Sequence, residues 1–221
     1  MDKIDYRKMN KELYAPKTEP SLIKVPAMNF IMVDGHGNPN DTEGEYNKAV
    51  EILYAFTFTI KMGRKFGTIG SKETELIDYH VPPLEGQWWM QDDNSTNFTN
   101  KEKYCWTSMI RQPDFITNED FEQAKFQIAR KKPELDITKA RFERFEEGLC
   151  VQCMHIGPFD NEPATVAKID RFIQANGLIN DIGSNFDEGI LRRHHEIYLN
   201  DPRKINPAKM KTILRHPVRE N

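Results

Sequence analysis

Cysteine is scarce in this chain, with three in 221 residues. An odd, low count excludes a disulfide scaffold and points to a reducing compartment, the cytoplasm. Two of the three form Cys150-Val-Gln-Cys153, the spelling of a redox or zinc motif. On a strand, residues three apart face opposite ways, and Cys105 alone supplies no second ligand pair, so the structural reading is preferred. Excess positive charge is also missing. Lys and Arg number 31 against 34 Asp and Glu, a net charge of -3, which excludes the basic surface that direct nucleic-acid binding needs. No apolar run approaches the roughly 18 residues of a membrane span. The opening MDKIDYRKMNKELY has no apolar leader core, so the sequons at Asn94 and Asn97 carry no expectation of glycosylation. The glycine-rich stretch Gly63 to Gly70 lacks the Gly-Lys-Ser/Thr step of a phosphate loop and reads as a mobile basic loop. There is no Gly-x-Ser-x-Gly elbow. His194-His195-Glu196 is not the His-Glu-x-x-His of a zinc site, and adjacent histidines on a strand cannot share one ion. Neither a metal nor a cofactor is expected.

What remains is the composition of a globular chain. Apolar residues make up 38% and charged residues 29%, enough for a sizeable core in one large domain or two small ones. Residues 1–20 read as a basic arm with one short helix from Tyr6 to Tyr14, stopped at Pro16. Leu22 to Val25 and Met28 to Val33 are strand-like, and Asp34 to Pro39 is a turn cluster. Tyr46, Val50, Leu53, Phe56 and Ile60 recur at helical spacing between Asp41 and Met62, with Asp41 or Thr42 as the cap. Strands follow at Leu76 to Val81, Leu84 to Met90 and Tyr104 to Arg111. Thr117 caps a helix that ends at Pro133, with Asp120 at the capping-box position. Residues 134–146 are charged, anchored by Phe142 and Phe145. Leu149 to Ile156 is apolar on both faces and reads as a central strand. A helix from near Pro163 to Asn176-Gly177 comes next. A strand from Gly189 to Leu199 and a last one from Met210 to Val218 complete the chain.

The order strand, Gly/Pro turn, helix, strand, strand occurs over 28–111 and again over 148–218. A period of about 120 residues marks a duplicated domain and not a solenoid. Each half alone is too small to bury its sheet. The expectation is therefore one domain over 1–221, with an arm at 1–20, a first half at 21–114, a connecting helix and linker at 115–146, and a second half at 147–221. The fold class is α+β: a duplicated β-α-β-β unit, mostly antiparallel, with helices on one side and a central ligand cleft between the halves.

Chemistry concentrates in the stretch from Gly189 to Pro202. Alternation along a strand puts His194, Glu196 and Tyr198 on one face and His195, Ile197 and Leu199 on the other. Glu196 beside a tyrosine suits a pocket for a planar aromatic or cationic molecule; a solvated acid on an edge strand is the plain alternative. Trp88 and Trp89 face opposite ways on their strand, and Trp106 lies on the next one. Either all three are core, or one or more forms an aromatic wall over the ligand.

Four motifs in order resemble one family. They are Val25-Pro-Ala-Met-Asn-Phe30 running into Asp34-Gly-His-Gly-Asn-Pro39, then Pro83-Leu-Glu-Gly-Gln-Trp-Trp89, then Trp106-Thr-Ser-Met-Ile-Arg-Gln-Pro-Asp114, and His195-Glu-Ile-Tyr-Leu-Asn-Asp-Pro202. Together they resemble the GyrI-like small-molecule-binding proteins, in their stand-alone bacterial branch, over most of 20–218. The resemblance implies a central cleft for flat or cationic xenobiotics with an acid on the late strand, here Glu196. In that branch, members are similar to hydrolases that open the cyclopropane of DNA-alkylating natural products. The catalytic assignment it suggests is Glu196 as general base with Tyr198 beside it, and Trp89, Trp88, Trp106 and His194 as ligand-binding residues. The other reading is a non-catalytic protein that sequesters drugs or protects gyrase. Expected partners are a small molecule, no nucleic acid directly and no membrane, in a monomer or homodimer.

Overall fold

The structure, a computed structural model, describes residues 3–71, 75–91, 100–186 and 190–221. The two sequons, most of the polar loop after Met90, and Gly189 lie outside them. The strands are β1 Ser21–Val25, β2 Met28–His36, β3 Leu84–Met90, β4 Tyr104–Gln112, β5 Ala140–Phe145, β6 Gly148–Ile156, β7 Ile179–Asn180, β8 Asn185–Phe186, β9 Ile190–Leu191, β10 His194–Tyr198 and β11 Lys211–Arg219. The helices are α1 Tyr6–Met9, α2 Lys11–Tyr14, α3 Glu45–Phe66, α4 Asn118–Lys131 and α5 Glu162–Ala175.

Eight strands form one antiparallel sheet in the order β1-β6-β11-β10-β3-β4-β2-β5, with β7 added beside β11. The order is symmetric about the β10–β3 seam. β2-α3-β3-β4 and β6-α5-β10-β11 are the two copies of the unit, so the duplication read from the sequence is present.

The connections dictate the shape. β1 and β2 are joined by Pro26 and Ala27 alone, yet six strand intervals separate them, roughly 29 Å in a flat sheet at about 4.8 Å per strand. A two-residue link spans at most about 11 Å. β5 and β6 pose the same problem through Glu146 and Glu147. The sheet must curl until its edges approach, and β1 and β5 each cross to the other half.

The curl makes an inside and an outside. Val25, Phe30, Met32, Met109, Phe145, Cys150, Ile197 and Ile213 from seven strands meet inside, with Leu13 and Tyr14 of the arm plugging the opening. Amid this apolar lining sits a buried ionic network. His195 lies 3.1 Å from both Glu85 and Glu147, and Arg215 lies 2.8 Å from Glu147. Arg215 also donates to the Leu13 carbonyl at 3.1 Å, which ties the arm down. Burial opposes the charge on His195, but the two carboxylates outweigh it and push the histidine up to about 9. On the outside, Ile31, Val33 and Ile110 pack under α3 and α4, where Phe56 stacks on Phe121 at 4.6 Å. Val151, Cys153, Leu214 and Val218 pack under α5 with Ile169 and Ile173. The three long helices thus share one side, as expected.

Several local expectations are corrected. Residues 76–81 make only an isolated bridge, Ile4 with Tyr79; the prolines that follow cannot donate to a ladder. The charged segment 134–146 contains β5, whose edge position tolerates Arg141 and Glu143 facing solvent. α3 starts after Gly44 and runs to Phe66, with Gly67 as its left-handed cap. The first half of the supposed mobile basic loop, Gly63 to Phe66, is therefore helix, and Arg64 is buried 3.5 Å from Asp120. The arm carries two short helices divided at Asn10. β6 is buried on both faces but stands second from the edge. The strand expected from Gly189 to Leu199 is broken at Arg192 and Arg193. Arg192 turns away to bind Asp181 and the carbonyls of Glu147, Leu149 and Val218. The capping box at Thr117 and Asp120 is present.

Candidate functional site

The seam between the halves sets the site. β10 pairs with β3 so that His194 faces Trp88 and Glu196 faces Gly86. Alternation then puts His194, Glu196, Tyr198 and Trp88 together on the outer face, between α3 and α5. The Tyr198 hydroxyl donates to Glu196 Oε2 at 2.7 Å, and Trp88 Nε1–H donates to the Tyr198 oxygen at 2.8 Å. His194 Nε2 lies 3.1 Å from Glu196 Oε1. Gly86 is required by this contact: a β-carbon there would meet Trp88 Nε1 at 2.8 Å and the Tyr198 hydroxyl at 3.2 Å.

Both long helices aim their first turns at this point. Tyr46, in the first turn of α3, lies 5.4 Å from Trp88 ring to ring, and its hydroxyl reaches Tyr198. Glu162, at the start of α5, is buried beside Glu196 and Thr212. His155 fixes that helix start, with Nδ1 2.9 Å from Thr165 and Nε2 3.1 Å from the Pro158 carbonyl. The helix N-terminus favours an anion at Glu162. Burial and the neighbouring Glu196 charge oppose it more strongly and raise the Glu162 carboxyl well above its ordinary range. Two carboxyls that share a site cannot both ionise cheaply. The raised group is Glu162, while Glu196 accepts from the Tyr198 hydroxyl. Burial and the charge of Glu196 also keep Tyr198 and Tyr46 as phenols.

Of the residues expected in the site, Glu196, Tyr198, His194 and Trp88 come together. Trp89 does not. It lies on the inner face of β3, under the Arg193 guanidinium at 4.5 Å. Trp106 shares the outer face but is 1% exposed beneath Tyr46, at 5.2 Å, and belongs to the core. The exposed aromatic group at the rim is instead Phe159, 41% exposed and edge-on to Tyr198 at 5.8 Å, while Tyr104 is buried edge-on to Trp88 at 6.0 Å. Glu162, Tyr46, Tyr104, Phe159 and His216 were not singled out from the sequence. Glu162 was legible only as part of a turn, although an acid just before Pro163 at a helix start was a usable signal.

The surroundings bound the chemistry. Burial holds the Cys150 and Cys153 thiols above their ordinary range, on opposite faces of β6. Among the described residues, no group of three His, Cys, Asp or Glu is placed to hold a metal, and no helix is long and apolar enough to cross a membrane. An apolar groove of about 360 Å³ between α3 and α4, lined by Tyr54, Phe58 and Ile128, is separate from the carboxyl pair.

No curated protein matches the sequence. Solved structures do. An uncharacterized conserved protein from Listeria innocua is 48% identical, with a TM-score of 0.86 over 98% of this chain and 100% of that one. A hydrolase from Listeria innocua is also 48% identical, with a TM-score of 0.82 over 98% of this chain and 100% of that one. At 12% identity, the EcmrR C-terminal domain shares only the fold, with a TM-score of 0.52 over 92% of this chain and 98% of that domain. The description of a GyrI-like small molecule binding domain fits residues 18–219, and the chain belongs to that family.

Proposed function

We propose that this protein binds planar small molecules in the cleft over the β10–β3 seam and hydrolyses strained electrophilic rings there. The substrate class is the cyclopropane-bearing DNA-alkylating natural product. The observation that carries the reading is the carboxyl pair, in which Glu196 accepts from Tyr198 and lies 3.1 Å from His194 Nε2, while burial and the charge of Glu196 raise the Glu162 carboxyl beside it. Such a pair divides into an acid and a base. In a cyclopropane conjugated to a dienone, water adds to the least hindered ring carbon. Glu196 takes the proton of that water as the C–O bond forms. The ring C–C bond breaks, its electrons flow to the dienone oxygen, and Glu162 supplies the proton that makes the phenol. Proton passage from Glu196 to Glu162 restores the pair. The aromatic rim at Tyr46 and Phe159 stacks on the planar ligand. A 48%-identical relative described as a hydrolase supports placing the chain beside enzymes.

The test is to incubate catalytic amounts of protein with excess alkylator and follow ring-opened product by mass spectrometry. Turnover that disappears in Glu196→Gln while ligand affinity stays within about threefold supports the reading. A general base contributes about 10²–10⁴-fold, so a variant within tenfold of the parent removes Glu196 from that role. The second reading is a binder that sequesters cationic drugs. It is favoured by the accessible edge of Glu196, whose side chain is 13% exposed. Under it a cation takes the place of the shared proton, and binding releases a proton measurable in buffers of different ionisation heat.

A further inference from the structure

His194 has a second partner that the reaction above does not use. Its Nδ1 lies 2.8 Å from Nε2 of His216 on β11, with the two rings at 81°. His216 is 0% exposed, and its remaining nitrogen, Nδ1, has no hydrogen-bond partner. The nearest ionisable group to that nitrogen is Asp170 on α5, at 4.0 Å, with its side chain 54% exposed. That gap exceeds a hydrogen bond, and rotation of an exposed side chain closes it. Four titratable groups therefore stand in line from Glu196 to the solvent-exposed Asp170 on α5.

Resting on the reading of Glu196 as the cleft's proton acceptor, we infer that His194 and His216 relay a proton between Glu196 and Asp170. An N–H···N bond between two neutral imidazoles carries one hydrogen, so the line has two complete arrangements. In one, His194 Nε2–H donates to the Glu196 carboxylate, His216 Nε2–H donates to His194 Nδ1, and a protonated Asp170 donates to His216 Nδ1. In the other, each of the three protons has moved one place toward Glu196: Glu196 carries a proton and donates to His194, His194 Nδ1–H donates to His216, and His216 Nδ1–H donates to an Asp170 carboxylate. No proton is gained or lost, and one negative charge passes from Glu196 to Asp170. Burial and His194 keep His216 neutral, as the relay needs, and burial raises Asp170. The other groups facing the line are Glu162, Tyr46 and Tyr198 around Glu196, and Glu147 through the sheet from His216.

The experiment uses ligand-free protein, so its outcome is independent of whether the alkylator is a substrate. Carboxyl carbon NMR gives the pKa of Glu196 in four proteins: the parent, Asp170→Asn, His216→Phe and the double variant. Asn cannot stabilise the outer arrangement as an anion does, so Asp170→Asn lowers the Glu196 pKa by half a unit or more. With His216→Phe that shift falls to a small through-space remainder. Equal shifts with and without His216, or none in either, overturn the relay. Should His216→Phe not fold, nitrogen NMR of the parent decides. Ring nitrogens of His194 and His216 that exchange tautomer together as Asp170 titrates support the relay, and fixed tautomers refute it.

Discussion

Replacing His195 by leucine tests whether the charge buried inside the curled sheet stabilises the fold. His195 is 1% exposed and touches two carboxylates that are themselves 1% and 5% exposed. Removing it strips Glu85 of its close cation and leaves Glu147 to Arg215 alone. Breaking a buried pair from one side costs about 3–5 kcal/mol. The rise of the histidine from 6.5 to about 9 independently corresponds to about 3 kcal/mol. At roughly 2–4 °C per kcal/mol for a chain of this size, the melting temperature falls by roughly 10 °C at pH 6. The pH dependence identifies the cause. A group whose folded pKa is raised contributes fully below its unfolded value, so this contribution is intact below pH 6.5 and fades as pH climbs through about 9. Glu147, held down at about 2 by His195 and Arg215 against the effect of burial, behaves in the opposite sense and is lost only in strong acid. Thermal melts of both proteins from pH 5 to 9.5 should therefore show a gap that is widest near pH 6 and narrows toward pH 9.5. A gap under about 1 kcal/mol at pH 6, or one that does not narrow, would refute the account of a charged His195 held by two carboxylates.

Three further outcomes follow from the geometry. Trp88→Phe should weaken ligand binding by removing the donor to the Tyr198 oxygen, whereas Trp89→Phe should leave affinity unchanged, as fluorescence titration of the two variants would show. Gly86→Ala should cost about 1–3 kcal/mol through overpacking against Trp88 and Tyr198, read by denaturant unfolding, with ligand affinity falling as well. Glu162→Gln should keep binding but slow turnover about 10²-fold or more. Because the acid works only while protonated, parent activity declines as pH rises through the raised Glu162 pKa, and in the variant that alkaline limb should vanish from the kcat profile.

The duplication was legible because helical and strand periods repeat in the same order, and that order survives without any knowledge of contacts. Alternation also told that Trp88 and Trp89 part company. Which one joins Glu196 depends on the register of β3 against β10, and no local pattern encodes that register. Of the two histidines, alternation placed His194 beside Glu196, but no local pattern showed that His195 meets Glu85 and Glu147, which come from other strands and connections. Glu162 escaped notice because its importance comes from meeting Glu196 across the fold, not from the turn in which it stands. β5 was hidden by its charges, which an edge strand can keep in water and a central strand cannot.

The exchange of β1 and β5 has a mechanical consequence. Each edge strand is covalently continuous with one half and hydrogen-bonded to the other, so the halves clasp each other like crossed hands. Prising them apart at the seam would require peeling an entire ladder from each rim. Loosening of the fold at the seam is therefore opposed from both rims at once, whereas Tyr46 and Phe159, at the starts of α3 and α5, stand outside those ladders.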